Sequence, residues 1–325
     1  MGKLYPLLFE ANLHQIVWGG QRLVEWKGVA GDAAVSGPIG ESWEVSAVES
    51  SPSVVANGPF AGKTLPDVVA TDPEGILGKA VAKHYGGKMP LLVKFIDAQK
   101  DLSIQVHPND EMASREHGKM GKTEMWYIID AQPGACIYSG FCKSLTPSEY
   151  KRMVQDGTIT DALARYEVSE GDVFFIPAGR IHAIGAGCFV AEIQQTSDVT
   201  YRIYDFKRKD KNGNYRELHT ELAAESIDYT VLPNYRAEYE RTKNEGVQVA
   251  TCPYFTTAVY DLNEPMTLDY SELDSFVILI AVKGEGTIKA NGQEMTFRMG
   301  DTILLPATTG EVKVEGEVKF LETFV

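Results

Sequence analysis

Four side chains that can bind a metal ion occur in strand-like segments of the chain: Gln105, His107, Glu124 and His182. Gln105 and His107 are two residues apart, so in a β-strand both side chains point to the same face of the sheet. Glu124 opens a second strand-like run, and His182 follows a third one that ends in a Pro-Ala-Gly turn. Three strands that aim these groups at one point would make a mixed nitrogen and oxygen site. Zinc with one open coordination position is the first expectation for such a site.

Each of these residues also has a structural interpretation. A single histidine on a strand is more often a structural residue than a ligand, and glutamine is rarely a ligand. The hypothesis of a metal site rests on the four residues together. It is supported because a strand followed by a Pro-Ala-Gly turn and a histidine recurs in metal-binding β-barrels.

The bulk properties of the chain narrow the possible partners. A length of 325 residues allows two domains. The net charge of −14 argues against nucleic acid or an anionic membrane surface as a partner. The four cysteines form no Cys-x-x-Cys pair, which favours reduced cytosolic thiols. We find no apolar run suited to a signal peptide or a membrane span, so we expect a cytoplasmic protein.

Short β-branched or aromatic runs bounded by turn residues predict a mainly β protein. The predicted strands are 41–48, 90–97, 102–107, 124–129, 172–177, 188–195 and 199–204. Two helices are predicted at 64–82 and 144–166, with Thr64 and Thr146 as N-caps before a proline in the first turn. The polar segment 208–220 predicts an exposed turn.

Two segments of the chain resemble one another, 171–178 and 300–307. In each, a Gly-Asp pair suits a hairpin turn and the apolar run after it suits a buried strand. His182 follows the first segment, but no histidine follows the second. The pattern predicts two β-barrel-like units, of which only the first keeps its ligands. Chance similarity over eight residues is the alternative.

A set of motifs recurs in one order along nearly the whole chain. The motifs are Trp18-Gly19-Gly20, Gly40-Glu41-Ser42-Trp43-Glu44, Pro90-Leu91-Leu92-Val93-Lys94, Leu102-Ser103-Ile104-Gln105-Val106-His107-Pro108, Lys122-Thr123-Glu124, Ile176-Pro177-Ala178-Gly179-Arg180-Ile181-His182-Ala183, and Glu192 followed by Tyr201-Arg202-Ile203-Tyr204-Asp205. In these motifs the chain resembles the short form of the type I mannose-6-phosphate isomerases (phosphomannose isomerases), zinc enzymes of the cupin superfamily. One motif alone is weak evidence, but their joint order and spacing are highly specific.

The resemblance implies a fold of two cupin-type, jelly-roll-like β-barrels with a few helices. Residues 1–238 would form the catalytic unit, with N-terminal strands and helical segments, and residues 239–325 a degenerate unit without metal ligands. The brief polar link between His107 and Glu124 fits the short form, which lacks a helical insertion. The implied reaction interconverts mannose 6-phosphate and fructose 6-phosphate by proton transfer through a cis-enediol. The implied partner is therefore a small sugar phosphate, and the oligomeric state stays open.

The resemblance also implies roles for particular residues. One Zn²⁺ per chain would be bound by the four residues Gln105, His107, Glu124 and His182. Arg202 and Lys122 would be catalytic, and Ser103 and Lys94 would contact the sugar phosphate. Glu192 and Trp18 are further candidates for contacting the substrate, and each also has a structural interpretation. The proton carrier stays open among Lys122, a zinc-bound water and a carboxylate such as Glu192.

The chain itself gives physical reasons to examine three of these residues. Lys122 is two positions before Glu124, so on a strand both would face the site. Lys94 lies in an apolar run and must be paired or face a cavity, because an unpaired buried charge is costly. For Arg202 the structural alternative is a salt bridge to Asp205 or Asp198. Glu44 is a further candidate for lining the pocket.

Two other functions compete with isomerisation. An Fe(II) cupin dioxygenase would use a similar set of ligands, but glutamine and the basic residues suit a phosphosugar better than O₂ chemistry. A non-catalytic sugar-phosphate-binding cupin would keep the pocket and lack turnover.

Overall fold

A computed structural model describes residues 4–29, 37–209 and 213–325 of the chain. In these ranges the strands form three antiparallel sheets of eight, five and seven strands. In chain order the strands are β1 (Leu7–Leu8), β2 (Leu13–Gly20), β3 (Ile39–Val45), β4 (Leu91–Asp97), β5 (Ile104–Val106), β6 (Glu124–Ala131), β7 (Cys136–Phe141), β8 (Leu163–Glu167), β9 (Val173–Ile176), β10 (His182–Ile184), β11 (Cys188–Gln195), β12 (Tyr201–Tyr204), β13 (Arg236–Ala237), β14 (Gly246–Thr251), β15 (Thr256–Leu262), β16 (Met266–Asp269), β17 (Val277–Ala290), β18 (Gln293–Arg298), β19 (Thr302–Leu305) and β20 (Glu311–Phe324).

Short helices connect these strands. They are α1 (Arg22–Trp26), α2 (Leu65–Thr71), α3 (Pro73–Leu77), α4 (Lys79–His84), α5 (Asp110–His117), α6 (Pro147–Asp156) and α7 (Thr220–Ser226), with 3-10 turns at Gly58–Phe60 and Ile159–Ala162. The prediction of a mainly β protein with a few helices is therefore confirmed. None of the helices in the described ranges is long and apolar enough to cross a membrane.

Two sheets face each other around the first buried core. The seven-stranded sheet has the order β13-β9-β6-β11-β4-β3-β2, and the five-stranded sheet has the order β12-β5-β10-β7-β8. One apolar cluster joins Trp126 and Val190 of the larger sheet to Ile137 and Ile184 of the smaller one. Because side chains alternate across a strand, the larger sheet presents every second residue to this interior and the others to its opposite face.

The eight-stranded sheet covers that opposite face. A single apolar cluster contains Phe95 and Tyr127 from the seven-stranded sheet together with Ile278 and Leu321 from the eight-stranded one. Strand β1, near the start of the chain, pairs with β19 near its end, with Leu7 opposite Leu304. A division into units at 238/239 stays a prediction.

The sequence similarity between 171–178 and 300–307 reflects a shared local structure. Gly171 and Gly300 both have a positive φ, +84° and +93°, which costs glycine little because it has no Cβ. Their backbone N–H groups donate to the carbonyls of Ile128 and Ala281, each on the neighbouring strand. The apolar run that follows forms β9 in the first case and β19 in the second.

The strand register identifies what replaces a metal ligand in the second copy. Glu124 is opposite Ile176 in the pair β6 and β9. In the corresponding pair, β17 and β19, Val277 is opposite Leu305. Val277 therefore occupies the position of Glu124, and its apolar side chain offers no ligand atom.

The helix predicted over 64–82 is broken in two places. Thr64 is the predicted N-cap, and its hydroxyl accepts from the N–H of Asp67. Pro73 begins α3, because proline lacks the N–H that would continue α2 and fits the first turn of a new helix. Gly78 then ends α3 with φ +95°. The prediction that this segment is helical is confirmed, but the prediction of one continuous helix is wrong.

The helix predicted over 144–166 is also too long. Thr146 caps α6 in a reciprocal capping box with Glu149, as its position before a proline predicts. Gly157 ends the helix in the left-handed conformation, with φ +73°. Beyond a 3-10 turn the chain continues as β8, which pairs with β7. Sheet pairing thus overrides the helical prediction for the last residues.

Two segments that the sequence predicts to be irregular can be compared with the structure. The link between His107 and Glu124 is not only a polar loop, because it contains α5. Asn109 caps this helix, and its side chain accepts from the N–H of Met112. In the predicted turn 208–220, residues 210–212 lie outside the described part of the chain. Residues 213–218 are exposed apart from Arg216, which is half-buried.

A candidate metal centre at the end of a polar cavity

Three of the four predicted metal ligands meet in the structure. His107, Glu124 and His182 are buried, and their ligand atoms all lie within 4.8 Å of one another. Nε2 of His182 is 3.3 Å from Oε1 of Glu124, and Nε2 of His107 is 3.5 Å from Oε2. Glu124 begins β6 of the seven-stranded sheet, whereas the histidines follow β5 and begin β10 of the facing sheet. The cluster therefore bridges the two sheets.

Backbone carbonyls orient both imidazole rings. Nδ1 of His107 is 2.9 Å from the carbonyl of Val199, and Nδ1 of His182 is 2.7 Å from the carbonyl of Arg180. Because a carbonyl only accepts, Nδ1 carries the hydrogen and Nε2 keeps its lone pair toward Glu124. Burial lowers the pKa of His107 well below its usual value and that of His182 to about 3. Both rings are therefore neutral.

The carboxylate of Glu124 provides the test of whether these residues fit a cation. Its Oε1 is buried and has no hydrogen-bond partner among the described residues. Burial raises the pKa of Glu124 to about 8, and Lys122 opposes this shift. A buried carboxylate oxygen without a partner is costly, and here it faces imidazole lone pairs. A divalent cation bound by these atoms would remove that cost, so the residues fit a metal.

Gln105 lies beside the cluster. It is the register partner of His182 across β5 and β10, and its Nε2 is 3.4 Å from Nε2 of His182. A metal ion would be bound by the amide oxygen. The side chain therefore has to turn its amide by half a rotation to act as the predicted fourth ligand.

Lys122 is in direct contact with the cluster. Its Nζ is 2.5 Å from Oε2 of Glu124, 3.1 Å from Nε2 of His107 and 3.9 Å from Oε1 of Glu192. The side chain is buried, with 5% of its surface exposed. The expectation that Lys122 and Glu124 face the same side is confirmed.

Lys94 and Glu192 extend this polar network across three adjacent strands. Glu192 is the register partner of Lys94 on one side and of Trp126 on the other. Nζ of Lys94 is 3.5 Å from Glu192 and 3.5 Å from Glu41, and the indole N–H of Trp126 donates to Glu192 at 2.8 Å. Lys94 is therefore both paired and at the cavity, as its apolar strand predicts.

The electrostatic balance keeps both groups charged. Burial would lower the pKa of Lys94, but Glu41 and Glu192 outweigh it and the pKa is raised. Burial would raise the pKa of Glu192, but Lys122 and Lys94 outweigh it and the pKa is lowered. The site thus contains fixed ammonium and carboxylate groups with little access to water.

A cavity of about 320 Å³ opens above this network. All of the predicted catalytic and substrate-binding residues line it, together with Gln105: Trp18, Lys94, Ser103, Lys122, Glu192 and Arg202. Such a volume is at the lower end of the range for small-molecule sites. The structure therefore brings the predicted residues to one place, while their individual roles stay predictions.

Arg202 does not make the salt bridge that was its structural alternative. Asp205 pairs with Arg208 and Arg216, and Asp198 pairs with Lys119. Arg202 instead donates from Nη1 to the carbonyl of Glu217 at 3.0 Å. Its Nε is buried without a hydrogen-bond partner in the described part of the chain, and burial lowers its pKa.

Glu44, a candidate for lining the pocket, has its structural alternative instead, because it lies on the other side of β3. Glu44 points away from the cavity, where it accepts from Lys27 Nζ at 2.5 Å and from Ser42. Glu41, three residues earlier, lines the cavity and contacts Lys94. The sequence contained a signal for this difference, because residues three apart on a strand lie on opposite faces of the sheet. Glu41 and Glu44 therefore cannot both face the cavity.

Four of the polar lining residues without a predicted role lie outside the strands: Asp198, Thr200, Arg216 and His219. They lie between β11 and β12 or in the segment after β12, where no periodicity predicts which side chains turn toward the cavity.

Comparisons with known proteins agree with this arrangement. The family model described as the catalytic domain of type I phosphomannose isomerase matches residues 7–135. A model described as the cupin domain of mannose-6-phosphate isomerase matches residues 245–325. A mannose-6-phosphate isomerase of Bacillus subtilis is 37% identical over 315 residues, which is 96% of either chain. One from Streptococcus mutans is 32% identical over 97% of either chain.

A solved structure gives the same result in three dimensions. The crystal structure of the mannose 6-phosphate isomerase from Bacillus subtilis superposes with a TM-score of 0.88 and 31% identity. The superposition covers 99% of this chain and 100% of that one. The expected cupin-type fold is thereby confirmed.

Proposed function

The chain belongs to the type I phosphomannose isomerase family, and on that premise we propose that it interconverts mannose 6-phosphate and fructose 6-phosphate. The observation that carries the proposal is the contact of Lys122 with Glu124 of the buried histidine and glutamate cluster, because Lys122 also lines a cavity of about 320 Å³. Lys122, the proposed proton carrier, thus lies beside a site fit for a cation. The prediction of a cytoplasmic protein stays a prediction.

We propose that one Zn²⁺ per chain is bound by Gln105, His107, Glu124 and His182. Neutral imidazoles and carboxylate or amide oxygens form the mixed donor set that suits zinc. The metal supplies positive charge where negative charge develops on the substrate oxygens.

The residues around the centre have complementary tasks in this reaction. Isomerisation moves the proton of C2 to C1 through a cis-enediol, while the proton of the C2 hydroxyl moves to the oxygen on C1. As the free amine, Lys122 Nζ accepts the proton from C2 and returns it to C1, because it is the buried amine nearest the centre and it lies 3.9 Å from Glu192. Glu192, held as a carboxylate by Lys94 and the Trp126 N–H, keeps the amine in position and accepts from a sugar hydroxyl.

Arg202 lies on the strand next to Gln105, as its register partner. Its buried guanidinium offers an Nε–H that no described residue accepts. In the proposed reaction this donor stabilises the oxyanion form of the enediol, which is present only near the transition state. Ser103 and Trp18 line the cavity wall and limit where the sugar can lie.

The test is a coupled assay for fructose 6-phosphate formed from mannose 6-phosphate. The protein is assayed as purified, after chelation, and after Zn²⁺ is added back. Loss on chelation and recovery with zinc are the expected results. A protein that holds stoichiometric zinc and binds mannose 6-phosphate without converting it would favour a sugar-phosphate-binding cupin instead.

A further inference from the structure

Residues 121–124, which carry Lys122 and Glu124, are hydrogen-bonded to the start of α5. The N–H of Lys122 donates to the carbonyl of Pro108 at 3.1 Å, and the N–H of Gly121 donates to Oδ1 of Asp110 at 2.7 Å. Gly121 also lies directly on this backbone, because an added Cβ would be 2.6 Å from the amide nitrogen of Asp110. Segment 121–124 is therefore packed against the first turn of α5.

Gln195 holds the same segment from the end of β11. Its backbone N–H donates to the carbonyl of Thr123 at 3.1 Å, and its side-chain Oε1 accepts from the N–H of Thr123 at 2.8 Å. Gln195 is buried, so water does not compete for these hydrogen bonds. Thr123 lies between Lys122 and Glu124, and the two bonds therefore fix the backbone that carries both functional side chains.

The carboxylate of Asp110 connects these contacts. Its Oδ1 accepts from the N–H of Gly121 and also from the side-chain amide of Gln195, at 3.0 Å. Its Oδ2 accepts from the hydroxyl of Tyr254 at 2.7 Å. Burial and the neighbouring Asp110 raise the pKa of Tyr254, so the hydroxyl keeps its hydrogen at neutral pH. Hydrogen bonds to a carboxylate are among the stronger ones in proteins.

Tyr254 belongs to the eight-stranded sheet, in the turn between β14 and β15. The next residue, Phe255, is buried and packs edge-on against Phe175 of β9, with ring centroids 6.4 Å apart. The N–H of Cys252 donates to the carbonyl of Phe255 at 3.0 Å, which closes the turn. The turn that carries Tyr254 is therefore anchored on the seven-stranded sheet by a buried aromatic contact.

We propose that Tyr254 is a positioning residue of the isomerase site, which acts through Asp110 to hold Lys122 and Glu124 in place. This inference rests on the proposed function, which assigns proton transfer to Lys122 and metal binding to Glu124. It gives the eight-stranded sheet a part in the reaction, although Val277 stands there in place of the ligand glutamate. Functional side chains have to be held within about 0.5 Å of their productive geometry, so a looser segment lowers the rate.

Tyr254→Phe removes one hydroxyl and keeps the ring. Without this donor the Asp110 carboxylate is held less firmly, and so are the groups that donate to it. We expect kcat for mannose 6-phosphate and the affinity for Zn²⁺ each to fall by roughly threefold to tenfold, since outer hydrogen-bond partners of a metal site contribute about that much or more. KM should stay within about twofold of the wild type, because the groups that bind the sugar are unchanged.

Tyr260→Phe is the matched control. Tyr260 is also half-buried, lies on β15 after the same turn, and has its hydroxyl 3.5 Å from a carboxylate, Oε2 of Glu322. That contact lies within the eight-stranded sheet, so kcat and Zn²⁺ affinity should stay within about twofold of the wild type. Kinetics, Zn²⁺ affinity by competition with a chromogenic chelator, and thermal unfolding are measured for both variants. A lower melting temperature in Tyr254→Phe with unchanged kcat and Zn²⁺ affinity would show a merely structural hydroxyl and overturn the proposal.

Asp110→Ala tests whether Tyr254 acts through Asp110. This variant loses the contacts with Gly121, Gln195 and Tyr254 together, so its losses in kcat and Zn²⁺ affinity should exceed those of Tyr254→Phe. In the Asp110→Ala background, Tyr254→Phe should have no further effect, because the connection is already broken. Additive losses in the double variant would contradict the proposed route.

Asp110→Asn keeps the test decisive if Asp110→Ala does not fold. The amide oxygen can still accept from Gly121 and Gln195, and the amide nitrogen can donate to the hydroxyl oxygen of Tyr254. Asp110→Asn should therefore retain most of the wild-type kcat and Zn²⁺ affinity. If a folded Asp110→Asn loses more of both than Tyr254→Phe does, the site needs the charge of Asp110 rather than its hydrogen bonds, and the proposal is wrong.

The two readouts separate this inference from the proposed function. An active wild type whose kcat and Zn²⁺ affinity are both insensitive to Tyr254→Phe refutes the positioning role and leaves the isomerase proposal intact. A zinc-loaded wild type that does not convert mannose 6-phosphate refutes the isomerase proposal, and Zn²⁺ affinity then decides the positioning role alone. A loss in Tyr254→Phe that Tyr260→Phe does not share supports that role, and equal affinities overturn it.

Discussion

The ammonium group of Lys122 lies 2.5 Å from Oε2 of Glu124, a carboxylate that also faces two imidazole lone pairs. The lysine therefore compensates the same negative charge that a bound cation would compensate. A cation bound at the proposed site would share that charge, which would leave Nζ of Lys122 less tightly held and able to contact the substrate. In the proposed mechanism, this close contact would link metal binding to the availability of Lys122 as the proton carrier.

Lys122→Met should retain zinc and lose most activity. The thioether keeps much of the volume but moves no proton, and general acid and base groups typically contribute about two to four decades in rate. Lys119→Met is the control, because Lys119 is an exposed lysine paired with Asp198. Metal content and kcat are measured together. A variant with wild-type kcat would exclude Lys122 as the proton carrier.

His182→Ala should lose both metal and activity. The imidazole is fully buried, and its Nε2 is one of the three clustered ligand atoms. His84→Ala is the matched control, since His84 is exposed and lies in α4, outside the cluster. Metal analysis of the dialysed proteins gives the result. Stoichiometric zinc in His182→Ala would contradict the proposed ligand set.

Arg202→Ala should keep zinc while kcat falls by about two or more decades, on the order of 3 kcal/mol, as for removal of a transition-state donor. Full activity in Arg202→Ala would rule out its catalytic role.

Glu322→Gln should stabilise the fold at neutral pH more than at acidic pH. Glu322 is buried in the C-terminal sheet, accepts from the hydroxyl of Tyr270 at 2.5 Å, and burial raises its pKa. A carboxyl group with a raised pKa in the folded state contributes stability below its usual pKa near 4.5, and this contribution is lost as the pH rises through the folded value. Glutamine is uncharged at every pH, so the variant does not lose this stability as the pH rises.

Urea unfolding at pH 5 and pH 8 measures this effect. The stability difference between the variant and the wild type should be larger at pH 8. The control is Glu317→Gln, an exposed residue on the same strand, β20. Equal differences at both pH values for Glu322→Gln would show that its carboxyl group titrates alike in the folded and unfolded chains.

The strands were the most predictable part of the fold, because they are short β-branched or aromatic runs bounded by turn residues. The alternation of side chains along a strand identified Lys122 beside Glu124, and it puts Glu41 and Glu44 on opposite faces of β3. The helices were less predictable. Pro73 interrupts the helix that was predicted over 64–82. The last residues of the helix predicted over 144–166 form β8 instead, because they pair with β7. Local sequence does not encode such a long-range contact.

The remaining parts of the site depend on the path of loops. Arg216 and His219 reach the cavity only because the segment after β12 folds back over it, with the N–H of His219 donating to the carbonyl of Arg202. Neither residue belongs to a strand or a recognisable motif. The charge balance of the cavity appears only when the partners of each arginine and lysine are known.

The apolar cluster that the seven-stranded and eight-stranded sheets share has a consequence for folding. A chain cut near residue 238 would leave Phe95 and Tyr127 in water and strand β1 without its partner β19. Neither the seven-stranded nor the eight-stranded sheet can unfold without exposing the apolar face of the other sheet to water. Heating should therefore produce one cooperative transition rather than two. Zinc bound at the proposed site would consequently raise the melting temperature of the eight-stranded sheet as well.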